Sequence, residues 1–108
     1  MVNARKFALS AYLIVEIEVL EGEAYRRYVA DVRRVVERHG GRYLARGGNV
    51  IAISGDWRPE RVILIEFGSA QEARECFASP EYKAIAPLRE KSTRSKAILV
   101  EGEPRSQG

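Results

Sequence analysis

The sequence predicts an α+β domain, a ferredoxin-like βαββαβ antiparallel sheet with its helices on one face. Three observations point there. In residues 12–19, YLIVEIEV, the odd positions Leu13, Val15, Ile17 and Val19 form an unbroken apolar row, the period of a strand. From Gly22 the period turns helical, with Tyr25, Tyr28, Val29, Val32, Val35, Val36 and His39 at steps of three and four. Residues 61–68, RVILIEFG, then carry four large aliphatics in succession, Val62 to Ile65, a strand whose middle has no polar side.

The first strand is rich in β-branched residues, and its even row reads Tyr12, Ile14, Glu16, Glu18. The helix after it fills its outer side with Arg26, Arg27, Asp31, Arg33, Arg34, Glu37 and Arg38. Glu23 with Arg27 and Arg33 with Glu37 are spaced for i,i+4 pairing. Gly40-Gly41 ends it, because glycine readily takes the left-handed conformation that closes a helix C-terminus. Residues 42–55, RYLARGGNVIAISG, read as extended chain interrupted at Gly47-Gly48-Asn49, a bent second strand or a short hairpin. Residues 56–60, DWRPE, are a turn-rich connection in which Pro59 bars a continued ladder.

The third strand, residues 61–67, is followed by Ser69-Ala70-Gln71-Glu72, which matches a capping box. Ala70, Ala73, Cys76 and Phe77 form the inner side of a short second helix. Ser79 and Pro80 then restart the chain as N-cap and first helical residue. Tyr82, Ile85 and Leu88 share one side of this third helix, which Pro87 is expected to kink or divide. Residues 95–101, SKAILVE, make the last strand. One domain over residues 11–102 is expected, with a flexible leader at 1–10 and a disordered tail beyond it. Right-handed crossovers assemble the strands as a split βαβ sheet.

Composition excludes several classes. At 108 residues the chain has room for one core and not two. Hydrophobic residues at 45% and charged residues at 31% set it apart from disordered and collagen-like chains. Its single cysteine, Cys76, forms no internal disulfide, which fits a reducing cytoplasm. Arg5 and Lys6 precede an apolar stretch, but Glu16 and Glu18 cut it short and no small-residue cleavage pattern follows. Nothing approaches the roughly 20 apolar residues needed to cross a bilayer, so no membrane partner is expected. The net charge of +3 is small and its basic residues are mixed with acidic ones. The third strand offers Val62, Leu64 and Glu66 where an RNA-binding sheet stacks bases on aromatics, so no nucleic-acid partner is expected either.

Helices on one face cannot cover both apolar rows of the third strand, Ile63, Ile65, Phe67 and Val62, Leu64, with Ile14 and Ile98 adding to the second. Burying a large aliphatic side chain is worth about 1.5–3 kcal/mol. Leaving four or five in water would forfeit on the order of 10 kcal/mol, comparable to the whole stability of a small domain. The simplest cover is a second copy of the sheet, giving a two-fold homodimer through the sheet face.

The segments AYLIVEIEV, HGGRYLARGG, GDWRPERVILIEF and SPEYKAIAPLRE, with a final strand ending in VEG, occur in an order and spacing that resembles the family known as domain of unknown function 1330. The resemblance covers residues 11–102 and implies a ferredoxin-like protomer of the dimeric α/β-barrel type, without an established activity. The wider superfamily includes antibiotic-biosynthesis-type monooxygenases and other small-molecule enzymes, which implies a ligand pocket.

Five residues are the candidates for such a site. His39, at a helix end on the buried side, is either a general base or a cap on the last turn. Glu66, like Glu16 and Glu18, shares a row with Ile14, Val62 and Leu64, where a carboxylate must be hydrated in a cavity, paired or protonated. Arg42 or Arg46 is its natural partner. His39 and Glu66 are thus the catalytic candidates, and Tyr12, Arg46 and Trp57 the ligand-binding ones, with Trp57 either a flap or a plug at the sheet's end. No cofactor or metal is called for: the glycine pairs lack phosphate-loop spacing, and no histidine, cysteine and carboxylate group is dense enough for a metal. The expected function is binding or converting a small organic molecule in a pocket beside the sheet, and the alternative is a structural or regulatory homodimer.

Overall fold

The computed structural model describes residues 9–104. Its elements are β1 (Ala11–Val19), α1 (Gly22–Arg38), β2 (Arg42–Arg46), β3 (Arg61–Phe67), α2 (Ala70–Ala78), α3 (Pro80–Ser92) and β4 (Thr93–Glu101). The strands form one antiparallel sheet in the order β2-β3-β1-β4. This is the ferredoxin-like βαββαβ arrangement. β1 lies at the centre, with Ile17 opposite Arg61 of β3 and Ser95 of β4, and Val15 opposite Ile63 and Ala97. The expected leader and tail fall outside the described residues except at their inner ends, where the Gly102 N–H donates to the Ser10 carbonyl at 2.7 Å.

Strand alternation divides the side chains between two faces. Toward the helices, Ile17, Ile65 and Phe67 pack with Tyr25, Tyr28, Val32, Val35 and Val36 of α1, Ala73 and Cys76 of α2, and Tyr82 of α3. The other face holds Ile14, Val62, Leu64, Ile98 and Val100, and no element among the described residues packs on it. Ile98 is 61% exposed and Val100 44%.

Four local expectations need correction. β2 stops at Arg46 instead of continuing to Gly55, because Gly47 and Gly48 both take positive φ, 70° and 74°, and turn the chain out of the sheet. Residues 47–60 contain no helix or strand. β2 also carries a bulge between Tyr43 and Ala45 in its pairing with β3. α3 is not divided at Pro87 but runs from Pro80 to Ser92, with Ser79 Oγ accepting the Tyr82 N–H at one end and the Thr93 hydroxyl donating to the Arg89 carbonyl at the other. The capping box at α2 is shifted: Ser69 Oγ accepts from the Glu72 N–H at 3.1 Å, but the Glu72 carboxylate reaches back to the N–H of Gly68 rather than of Ser69.

The α1 terminus follows the expected chemistry. Gly40 has φ 81° and donates to the Glu37 carbonyl, and Gly41 donates to that of Val36. Gly41 is required for space: a Cβ there would lie 2.5 Å from Val36 Cγ1 and 2.9 Å from the Phe67 ring. Ser79 serves two helices, donating to the Cys76 carbonyl of α2 and accepting from the Tyr82 N–H of α3.

Candidate functional site

Between the sheet and the helices lies a cavity of about 1210 Å³. Its floor is Leu13, Val15, Ile17 and Val19 of β1 with Ile63 and Ile65 of β3. Tyr25, Tyr28, Val29 and Val32 of α1 and Tyr82, Ala86 and Arg89 of α3 form the roof, and Tyr43 and Arg46 of β2 close one side. Small residues keep it hollow. Ala30, Ala86, Ser95 and Ala97 stand where larger side chains would fill the space.

The polar groups in the wall are mainly cations and phenols. Arg61, at the start of β3, lies over the Tyr25 ring at 5.5 Å, and its stem runs past Gly47, where a Cβ would meet Arg61 Cγ at 2.7 Å. Arg46 lies over the Tyr43 ring at 5.1 Å. Arg89 donates from Nη1 to Ser95 Oγ at 2.9 Å. The Tyr28 and Tyr82 hydroxyls are 2.9 Å apart. Burial pushes the Tyr43 phenol up to about 12 and raises that of Tyr28 well beyond the ordinary range, the neighbouring Tyr82 adding to the effect. Burial also raises Tyr25, outweighing the opposing pull of Arg61 and Arg46. These tyrosines are therefore hydrogen-bonding neutral phenols at neutral pH, not bases. Cys76, buried and pushed up to about 11 by desolvation, is a thiol without the thiolate character of a nucleophile.

The five candidates from the sequence do not meet in one place. Arg46 lines the cavity. Tyr12 and Glu66 meet on the opposite face of the sheet, where Tyr12 Oη donates to Glu66 Oε2 at 3.0 Å and Arg42 Nη2 to Glu66 Oε1 at 3.0 Å. Of the two arginines expected to partner Glu66, Arg42 does so. Trp57 is on that same face, its Nε1–H donating to Glu16 Oε1 at 3.3 Å with Lys96 Nζ 3.6 Å from the same oxygen. His39 is half-buried at the C-cap of α1, its Nδ1 3.0 Å from the Val35 carbonyl oxygen, and does not line the cavity.

Arg61 and Arg89 went unnoticed in the sequence. The signal for Arg61 was its place in the inward row of β3 with Ile63, Ile65 and Phe67, where a charge needs a reason. Arg89 is two helical turns from Tyr82, on the same side of α3.

Among the described residues no helix is long and apolar enough to cross a membrane, and no group of three metal-ligating side chains converges. No curated protein matches the sequence. Among solved structures, the chain is similar to a protein of unknown function from Rhodopseudomonas palustris, with TM-score 0.74 and 20% identity over 88% of this chain and 83% of that one. It is also similar to SnoaB, a cofactor-independent oxygenase from Streptomyces nogalater, with TM-score 0.65 and 13% identity over 94% and 100% of the two chains. A dimeric protein of unknown function and ferredoxin-like fold from Bacteroides fragilis aligns with TM-score 0.52 and 12% identity over 89% and 99%. At these identities the likeness is one of fold. The family described as domain of unknown function (DUF1330) matches residues 10–103, and the chain belongs to it.

Proposed function

We propose that this protein binds a small organic molecule in the cavity between its sheet and helices, and that it works as a cytoplasmic homodimer. The cavity carries the reading: an apolar chamber of about 1210 Å³ with a few convergent polar groups is the form that small-molecule sites take. A cofactor-independent oxygenase on the same fold makes conversion of the ligand a reasonable extension by analogy.

The dimer follows from the open face. Ile98, Ile14 and Leu64 form one row across β4, β1 and β3, and a partner sheet packed over that row would remove them from water. A dimeric relative of the same fold supports this. A buried, unpaired thiol at Cys76 fits a reducing compartment.

A second reading rests on Tyr12, Glu66 and Arg42. Beneath a partner sheet, their hydrogen-bonded row would be a desolvated carboxylate held by a phenol and a guanidinium, a unit able to move a proton at a site between protomers. His39 would then serve the helix end alone.

The test is a metabolite screen by melting temperature, since a ligand that prefers the native state must raise it. Hits should be lost in Ala97→Phe, which fills the cavity, and kept in Glu66→Gln. Hits lost in Glu66→Gln and kept in Ala97→Phe would move the site to the seam between protomers.

A further inference from the structure

We infer that the cavity is built for an apolar monoanion, a small organic acid whose acidic group lies over Ile17 between Arg61 and Arg89. The inference rests on the proposed cavity site and specifies its ligand. The first ground is charge. The lining carries Arg26, Arg46, Arg61, Lys83 and Arg89 against the single carboxylate Glu90; Lys96 also borders it, but its ammonium lies by Glu16 on the other face of the sheet. Among the described residues no carboxylate forms an ion pair with Arg26, Arg46, Arg61 or Lys83, and Glu90 is 3.7 Å from Arg89 Nη2. Glu60, next to Arg61 in the chain, forms no ion pair with it among the described residues; its carboxylate accepts the Val19 N–H at 3.2 Å and lies near enough to Tyr25 to help raise that phenol.

The second ground is register. Arg61, Ile17 and Ser95 are direct partners across β3, β1 and β4, all on the cavity side. Arg61 rises from one flank, and Arg89 is held above the other by its bond to Ser95 Oγ. The flanking strands are two spacings apart, roughly 10 Å, which leaves room for one acidic group above Ile17.

The third ground is an unmet hydrogen-bonding need. The Nε atoms of Arg61 and Arg89 are both buried, and neither has an acceptor among the described residues. Arg89 meets part of its need at Ser95 Oγ and lies 3.7 Å from Glu90, while Arg61 has no acceptor among the described residues; a carboxylate reached by the terminal Nη groups is the acceptor that the planar guanidinium fork fits best. The nearby phenols of Tyr25 and Tyr28 are held neutral by burial and supply donors, not the missing negative charge.

The rest of the cavity defines the body of the ligand. From Ile17 the floor runs through Val15 to Leu13, with Ile63 and Ile65 alongside. That length is about 14 Å along the strand, enough for a fused-ring or medium-chain body. A polyanion is disfavoured because the cationic end passes directly into this aliphatic floor.

The test uses matched pairs on the intact chain: anthracene-9-carboxylate with its carboxamide, and decanoate with decanamide, titrated by calorimetry. Each acid should bind at least about tenfold more tightly than its amide. Arg61→Gln and Arg89→Gln, checked for native circular dichroism, should each remove most of that preference by weakening the acid far more than the amide. Equal binding of acid and amide would overturn the inference and leave the cavity reading in place. Binding of neither would overturn both. Should either variant fail to fold, the comparison within each pair on the unaltered protein decides the matter alone, and Ala97→Phe must abolish the binding.

Discussion

Tyr12 and Glu66 are directly opposed in the β1–β3 pair and joined by a 3.0 Å hydrogen bond, on the side of the sheet away from the cavity. Arg42 extends the row onto β2. An exposed row of this kind contributes little, about 0.2–1 kcal/mol, because water competes for every partner. Under a partner sheet the same groups lose that competition, and removing a charge there leaves its partner buried and unpaired. Glu66→Gln is therefore expected to raise the dimer dissociation constant by about tenfold while shifting protomer stability by less than about 1 kcal/mol. Sedimentation equilibrium across a concentration series measures the first and denaturant unfolding the second. A change in unfolding alone would place the row outside any interface.

The apolar part of the same face gives a sharper test. In an isolated protomer Ile98 is 61% exposed, so Ile98→Lys should alter its stability by no more than about 0.5 kcal/mol. In the proposed dimer the row Ile98, Ile14 and Leu64 faces its counterpart, and two lysines related by the two-fold axis would be forced into an apolar seam. That penalty amounts to several kcal/mol per ion. Ile98→Lys should sediment as a folded monomer at concentrations where the unaltered chain is a dimer. A variant that stays dimeric would rule out the face-to-face contact.

Burial has a period that survives in sequence, and this is why the fold was legible before any coordinates. The odd row of β1, the α1 stripe and the inward row of β3 each state which side is covered. Local competition between bonding partners has no such period. Glu72 chooses the Gly68 N–H over that of Ser69 on the geometry of one turn. The bulge at Tyr43 and Ala45 shifts alternation by one, so that Arg46 joins Tyr43 on the cavity side instead of following Arg42 to the open face. The cationic end of the cavity is tertiary throughout. Arg61 depends on the bare Gly47 and on Tyr25 of α1, and Arg89 on Ser95 across a chain reversal, so the inward row of β3 marks Arg61 as unusual in the sequence but the pairing of the two arginines is seen only in three dimensions.

Alkaline pH should weaken the fold through the buried phenols. Tyr43 has its pKa raised by burial from 10.0 to about 12, and Tyr25 and Tyr28 are raised as well. The sign follows from which state holds the proton: between these values the folded chain keeps its phenol while the unfolded chain ionises. Stability is thus fully present below pH 10.0 and falls as pH rises toward about 12. Tyr43→Phe should flatten part of that decline, seen in urea unfolding midpoints at successive pH values alongside the phenolate absorbance of the native protein. Identical slopes for the two proteins above pH 10.0 would mean that Tyr43 titrates as if exposed.

Gly41 tests how tightly the end of α1 is seated on β3. Its φ is not among the positive ones, so the residue is not needed for a left-handed turn and alanine meets no backbone penalty. The obstacle is space: the added methyl would stand 2.5 Å from Val36 Cγ1, 2.9 Å from the Phe67 ring and 3.0 Å from the Val36 carbonyl oxygen. Val36 and Phe67 are both fully buried, so neither side chain can swing into solvent to make room. Forcing a methyl into such a contact costs about 1–3 kcal/mol. Gly41→Ala should therefore lower stability by that amount, and Gly48→Ala serves as the contrast, since a Cβ there meets nothing within 4 Å and the loss comes only from its positive φ. Pairing Gly41→Ala with Val36→Ala removes the nearest side chain, and the added methyl should then cost less in that background than in the unaltered one. Additive effects in this double-mutant cycle, read from chemical unfolding, would show that the contact between Gly41 and Val36 is not what holds the helix end down.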